Sequence, residues 1–295
     1  MTETKLLKSW REVPGLLKVM LEYEQKLVLS GGSKSTVRNY CYKIAQVSLH
    51  FGKLPNEVSE REIEEYLYSL VQGGKTPSLS AYKHTVYGLR SYFRLLGYEE
   101  RAIKLPKLRS EKKLPVVLNQ NECKRLFSAP THLKHRIILS LIYSAGLRVG
   151  ELCKLKIADV DSGRMMIHIR QSKYYKDRYV PLSELILEGL RKYYKECKPV
   201  MWLFNGKNSS VAISPKGVQS VMRNAVKRAK ILKNVSIHSL RHSYATHLLE
   251  EGMDIVSIKE LLGHARIETT MVYLHVAKPN RSNQFSPFDR LYKKQ

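Results

Sequence analysis

The stretch from Lys104 to Pro115, KLPKLRSEKKLP, constrains this chain more than any other. It carries Lys104, Lys107, Arg109, Lys112 and Lys113, two Leu-Pro steps and no apolar period. Clustered cations have no place in an apolar interior, and proline withholds a backbone donor, so the segment suits neither a core helix nor a central strand. It reads as an exposed basic linker over 104–116, and the fold must close one core before it and another after it. At 295 residues the chain is long enough for both. The expected domains are 1–103 and 117–295.

The first domain reads as all helical. From Ser78 to Leu96, Tyr82, Val86, Leu89, Phe93 and Leu96 recur at steps of four and three, the period of a buried helix face, and Gly97 supplies a stop. Another side of that helix carries Lys83, Tyr87, Arg90 and Arg94. A helix starting near Ser33 to Ser35 carries Lys34, Arg38 and Lys43, so two basic helices are expected to line one surface. The bland reading of each stripe is a solvated face; together they favour DNA.

The second domain opens with a helix near Gln120 capped by Asn119, then an apolar helix over about 133–144, then a short one in LRVGELCKL with Val149, Leu152 and Leu155 inward. Between Met165 and Leu182 the period changes. MIHIR and RYVPL are rich in β-branched residues and flank the polar SKYYKD, which signals a hairpin. Helical pattern resumes at Ser214, with Gly252 and Gly263 as stops and Asp254 and Thr269 as N-caps.

Charge narrows the partners. Fifty-one Lys and Arg against 26 Asp and Glu leave a formal +25, which points to a polyanion. No apolar run approaches the roughly 20 residues of a membrane span, so no membrane partner is expected. MTETKLLKSW does not read as a secretory signal, so a cytoplasmic location is expected. Cys41, Cys123, Cys153 and Cys197 form no C-x-x-C pair and suggest neither a zinc finger nor a disulfide framework.

Singly, Arg148 reads as an ion-pair partner and His264 as a satisfied polar group. The ordered constellation says more: His238 and Arg241 lie three apart on a helix that packs through Leu240, Tyr244 and Leu248, His264 follows Gly263, and Tyr273 stands nine residues on, at the start of a further helix. In AGLRVGEL, KDRYVPL, HSLRHSYATHLL, ELLGH and TTMVYLHV, taken in that order, the chain resembles the tyrosine recombinases of the Xer, integron and phage-integrase type, over essentially its whole length.

The resemblance implies a mainly α fold with a small antiparallel β-sheet: an N-terminal helical SAM-like core-binding domain, with Lys34, Arg38, Lys43, Lys83, Tyr87, Arg90 and Arg94 toward DNA, plus a tyrosine recombinase catalytic domain. Position by position it puts the first catalytic arginine at Arg148, its supporting acid at Glu151, the hairpin lysine at Lys173, the paired histidine and arginine at His238 and Arg241, the last histidine at His264 and the nucleophile at Tyr273. It implies attack of the tyrosine on a phosphodiester, a 3′-phosphotyrosyl intermediate, a Holliday junction, and a homo-tetramer on two duplexes carrying the recombination site. No cofactor and no metal is implied: two arginines would clamp the phosphate, and the lysine would protonate the leaving oxygen. Family members flank that lysine with glycines, whereas this turn reads Ser172-Lys173-Tyr174-Tyr175-Lys176, which leaves Lys176 as a competitor. His242 and His275 are expected to be structural. Chromosome-dimer resolution, integron cassette exchange and transposon mobility all use this domain pair.

Two other enzymes compete. His238 and His242, four apart, with His264 would suit a zinc hydrolase, but the glutamate of H-E-x-x-H is missing and Arg241 would sit beside the metal. A type IB topoisomerase shares the chemistry but needs no such two-domain layout. After His275, Phe285, Phe288, Leu291 and Tyr292 form an apolar cluster too short to make its own core; the bland reading packs it back onto its own domain, and the expected one docks it on a neighbouring protomer.

Overall fold

The computed structural model describes residues 11–72, 79–106, 114–170, 177–206 and 208–277. Lys173, Lys176, most of the basic linker and the C-terminal apolar cluster lie outside those residues. The chain divides into two compact units, Met1–Glu111 and Lys112–Gln295.

The first unit is helical: α1 (Leu16–Leu29), α2 (Lys34–Phe51), α3 (Glu60–Gln72), α4 (Leu79–Leu95) and α5 (Glu99–Lys104). Ser33 caps α2 by accepting from the Thr36 amide. Val86, Leu89 and Phe93 are buried against Leu16, Tyr23, Ile44 and Val47, as the period predicts. Each such aliphatic side chain contributes roughly 1.5–3 kcal/mol over its exposed state.

Two details depart from expectation. Arg90 donates from Nη2 to the carbonyls of Leu105 (3.2 Å) and Pro106 (2.8 Å) and is half-buried, so it fastens the end of the unit instead of standing free in the basic stripe. The helical unit also extends past residue 103. Lys104 ends α5 and pairs with Glu60 at 2.7 Å, and Leu105 is buried, because apolar contact holds the chain down beyond the first basic residue of the linker.

The second unit runs α6 (Gln120–Ser128), α7 (Leu133–Ser144), α8 (Val149–Lys154), β1 (Val160–Asp161), β2 (Met166–Ile169), β3 (Arg178–Pro181), α9 (Glu184–Cys197), α10 (Pro215–Arg228), α11 (Ile237–Glu250), α12 (Ile255–Leu262) and α13 (Glu268–Met271), then a 3-10 turn, Val272–His275. Asn119 and Glu122 form a reciprocal cap on α6. β2 and β3 pair antiparallel, Ile167 opposite Val180 and Ile169 opposite Arg178, and the short β1, which the sequence did not suggest, adds a third strand. His168 and Tyr179 stack on the outer face at 4.7 Å while Ile167, Ile169 and Val180 are buried.

Asp254 caps α12 through the Val256 and Ser257 amides, as expected. Thr269 does not cap: it lies inside α13, whose N-cap position is held by Ile267. The reason is local: the helix has already begun before Thr269, the Thr270 and Met271 amides bonding back to Ile267 O. Tyr273 is the second residue of a short 3-10 helix after α13, not of an α-helix. α11 threads the middle of the unit. Ile237 and Leu240 join the main core, while Tyr244 and Ala245 join a second cluster with Ile258, Leu262 and Tyr273. No described helix is long and apolar enough to cross a membrane.

Candidate active site

The site is organised by one carboxylate. Glu151 lies in the first turn of α8 and accepts from the Arg148 amide at 2.8 Å, which caps its own helix. Its Oε1 also accepts Arg148 Nη1 at 2.8 Å and Arg178 Nη1 at 2.9 Å, and its Oε2 accepts Arg178 Nη2 at 2.9 Å. Arg241 Nη1 stands 4.0 Å from Oε2. Burial would push the Glu151 carboxyl up, but the forked pairing to Arg178 and the bonds from Arg148 overcome it and hold the group at about 2.

Three guanidinium groups in one place repel, and the end of α12 answers that repulsion. The last carbonyls of a helix have no partner within it and carry the negative end of its dipole. Here Leu261 O accepts Arg178 Nε at 2.9 Å, Leu262 O accepts Arg241 Nη2 at 2.6 Å and Gly263 O accepts Arg148 Nη2 at 3.2 Å. Gly263 has φ +62, and a Cβ there would lie 3.0 Å from Arg178 Cδ. Gly146, after α7, plays the matching part. Its carbonyl accepts Arg241 Nη1 at 2.6 Å, its φ is +57, and a Cβ would come within 2.6 Å of the Tyr244 ring. A side chain at either glycine would displace an arginine or the ring packed against it.

Arg241 is 2% exposed; burial first, then the neighbouring Arg148, lowers its guanidinium to about 9. Arg148 keeps an open edge, with 22% of its side chain exposed. His264, just past Gly263, binds Thr270 Oγ1 through Nδ1 at 2.9 Å, and desolvation followed by Arg241 and Arg148 drops it to about 3. His238 is exposed, one turn before His242 on α11; partial desolvation and then Arg241 and Arg148 lower it too.

Tyr273 is 1% exposed. Its ring packs in the Tyr244, Ala245, Ile258 and Leu262 cluster, and its hydroxyl lies 3.1 Å from His242 Nδ1. Burial raises the phenol, opposed by Arg241 and Arg148.

Arg148, Glu151, His238, Arg241, His264 and Tyr273, far apart in sequence, thus gather around α11 and the end of α12. One residue of the cluster was missed. Arg178 lies in phase with buried Val180 on β3, and a cation on the inward face of a strand is a legible demand for a partner. His242, expected to be structural, meets the Tyr273 hydroxyl, a tertiary contact that its spacing from His238 does not announce. In the first unit Lys34, Arg38, Tyr87 and Arg94 are exposed, Lys83 is half-buried, and Lys43 is half-buried with its Nζ donating to Gln46 at 2.9 Å.

Comparison with known proteins follows this division. Residues 116–280 match the phage integrase family, and 19–102 match the phage integrase N-terminal SAM-like domain. Tyrosine recombinase XerA of Pyrococcus horikoshii is 36% identical, the match covering 88% of this chain and 89% of that protein. Tyrosine recombinase XerA of Thermococcus onnurineus is 38% identical over 88% and 90% of the two chains. Among solved structures, a XerA recombinase aligns over 95% of this chain and 100% of that one, at 27% identity and TM-score 0.52. A lambda integrase dimer bound to a COC′ core site shares the fold at 22% identity and TM-score 0.68, over 85% and 96% of the two chains. A carboxylate-centred arginine cluster beside a buried tyrosine, on a helical catalytic unit preceded by a SAM-like one, together with these relatives, makes the chain a member of the phage integrase family and a tyrosine-type site-specific recombinase.

Proposed function

We propose that Tyr273 is the nucleophile of this recombinase and that Arg148 and Arg241 hold the scissile phosphate. The observation that carries this is the seating of both guanidinium groups around Glu151 and the end of α12, beside the turn that bears the tyrosine. Their positions are set before substrate arrives, so planar donors meet the negative charge that grows on the phosphate oxygens without reorganising first. Attack gives a 3′-phosphotyrosyl link and a free 5′-hydroxyl, conserving the bond for rejoining through a Holliday junction. Lys173 protonates the leaving oxygen, with Lys176 the alternative, and His238 and His264, held neutral, orient the phosphate.

The substrate is duplex DNA bearing a recombination site. Relatives of this fold were solved on DNA, among them an XerH recombinase bound to its difH substrate. Lys34, Arg38, Lys43, Lys83, Tyr87 and Arg94 serve the backbone of that duplex, and four copies act on two duplexes because each of four strands needs its own tyrosine. The programme is Xer-like and runs in the cytoplasm, with neither cofactor nor metal.

The test is a nicked suicide duplex resolved by denaturing electrophoresis. The wild-type chain is expected to trap a covalent adduct, and Tyr273→Phe to bind the duplex without forming one. An adduct with Tyr273→Phe would remove the nucleophile assignment.

A further inference from the structure

We propose that His242 is the base that takes the phenolic proton of Tyr273 during strand cleavage. This inference rests on the nucleophile assignment above.

Of His238, His242 and His264, it is His242 that reaches the hydroxyl. Its Nδ1 stands 3.1 Å from the Tyr273 oxygen, and the two ring centroids are 5.8 Å apart. His264 spends Nδ1 on Thr270, and the His238 ring lies 6.1 Å from that of His242. Both partners are fixed: Tyr273 is buried in an apolar cluster, and His242 sits in mid-α11, between buried Arg241 and buried Ser243. A proton therefore has a short path between two side chains seated on packed elements.

The step balances. The Tyr273 oxygen forms its bond to phosphorus as the bond to the 5′-oxygen breaks; the phenolic proton passes to Nδ1, and the leaving 5′-oxygen takes a proton from the hairpin lysine. Rejoining reverses each transfer and returns the proton to the tyrosine.

The surroundings explain why the resting chain keeps this step off. The groups facing His242 are His238 and Arg241 on α11, His264 beyond α12, and Tyr273 on its turn, with Arg148 acting on Tyr273 and His238. Desolvation, then His238 and Arg241, hold His242 down to about 4, while burial holds the phenol above its ordinary value. Proton transfer between them is uphill until an anion enters among the arginines. A bound phosphodiester supplies that charge, raises His242, and drains charge from the attacking oxygen as the new bond forms.

Single-turnover cleavage of the suicide duplex tests this with full-length His242→Ala and His242→Asn, the asparagine keeping an acceptor near Nδ1 that takes no proton. DNA affinity and thermal melting are measured alongside to separate folding from chemistry. Both variants are expected to lose about 100-fold in cleavage with binding retained, the size typical of a lost proton acceptor. The fall in wild-type rate toward acid pH, which marks protonation of the base, should vanish from their profiles, and their rates should climb toward alkaline pH as hydroxide takes the proton. A duplex with a 5′-bridging sulfur, which departs without a proton, should leave the loss in place. Wild-type cleavage by His242→Asn, an acid limb unchanged in the variants, or full rescue by the sulfur substrate would each overturn the proposal. An inert Tyr273→Phe beside a normal His242→Asn would sink the base alone; an adduct with Tyr273→Phe would sink the nucleophile as well.

Discussion

The two units handle positive charge in opposite ways. In the helical unit Lys34, Arg38 and Arg94 stand on helix surfaces over an apolar core that folds without reference to them. In the catalytic unit Arg178 and Arg241 are nearly excluded from water and, with Arg148, share one carboxylate and the final carbonyls of α12. Surface cations act independently, are screened by salt and contribute little to stability. Buried ones are coupled, so each becomes a liability once its partner is gone. The same residue type is thus left at the surface in one unit and built into a buried network in the other.

Removing the shared partner tests that contrast most severely. Glu151→Gln leaves three guanidinium groups around a neutral amide, and breaking buried pairs of this kind costs about 3–5 kcal/mol. Equilibrium denaturation checks it, and a loss no larger than that of a surface substitution would mean the cluster is wetter than its geometry implies. The same carboxylate sets an acid limb. Its folded value of about 2 lies below the usual glutamate value of 4.5, so its contribution is fully present above the unfolded value and is lost as pH falls from about 4.5 through about 2. The drop is about 3 kcal/mol, from 1.36 kcal/mol per unit. It should disappear in Glu151→Gln.

Next in size are the arginines themselves. Arg148→Ala and Arg241→Ala are each expected to slow suicide-substrate cleavage by about 100-fold or more, roughly 2.7 kcal/mol of transition-state stabilisation. Chelator should leave the wild-type rate unchanged. A rate that collapsed with EDTA as it does with either mutation would require a different mechanism.

The smallest effect on folding is expected on the basic helices. Lys83→Ala with Arg94→Ala should move stability by no more than about 0.5 kcal/mol. It should also flatten the salt dependence of DNA affinity by roughly 2 in log-log slope, near one for each phosphate left without its cation. Arg90 is left in place because its bonds to Leu105 and Pro106 would confound the reading. An unchanged slope would return Lys83 and Arg94 to the status of a solvated face.

Legible in the residue order alone were the helical period of α4, the Asn119 cap, the α7 span, the switch to a hairpin at Met166 and the ordered motifs that carry the family. These are consequences of spacing along one chain, written in residues three, four or two apart. The pairing of Arg148 with Glu151 came through the family resemblance, and the structure shows that it is local, the two residues sharing the first turn of α8. Folding in three dimensions was needed to show that Arg178 completes the Glu151 cluster, that Gly146 and Gly263 surrender their carbonyls to arginines, and that His242 meets the Tyr273 hydroxyl. Such contacts join residues tens to more than a hundred positions apart. Their physical cause is the convergence of separate helix ends and a strand around α11, where buried charge must find a partner that no local pattern names.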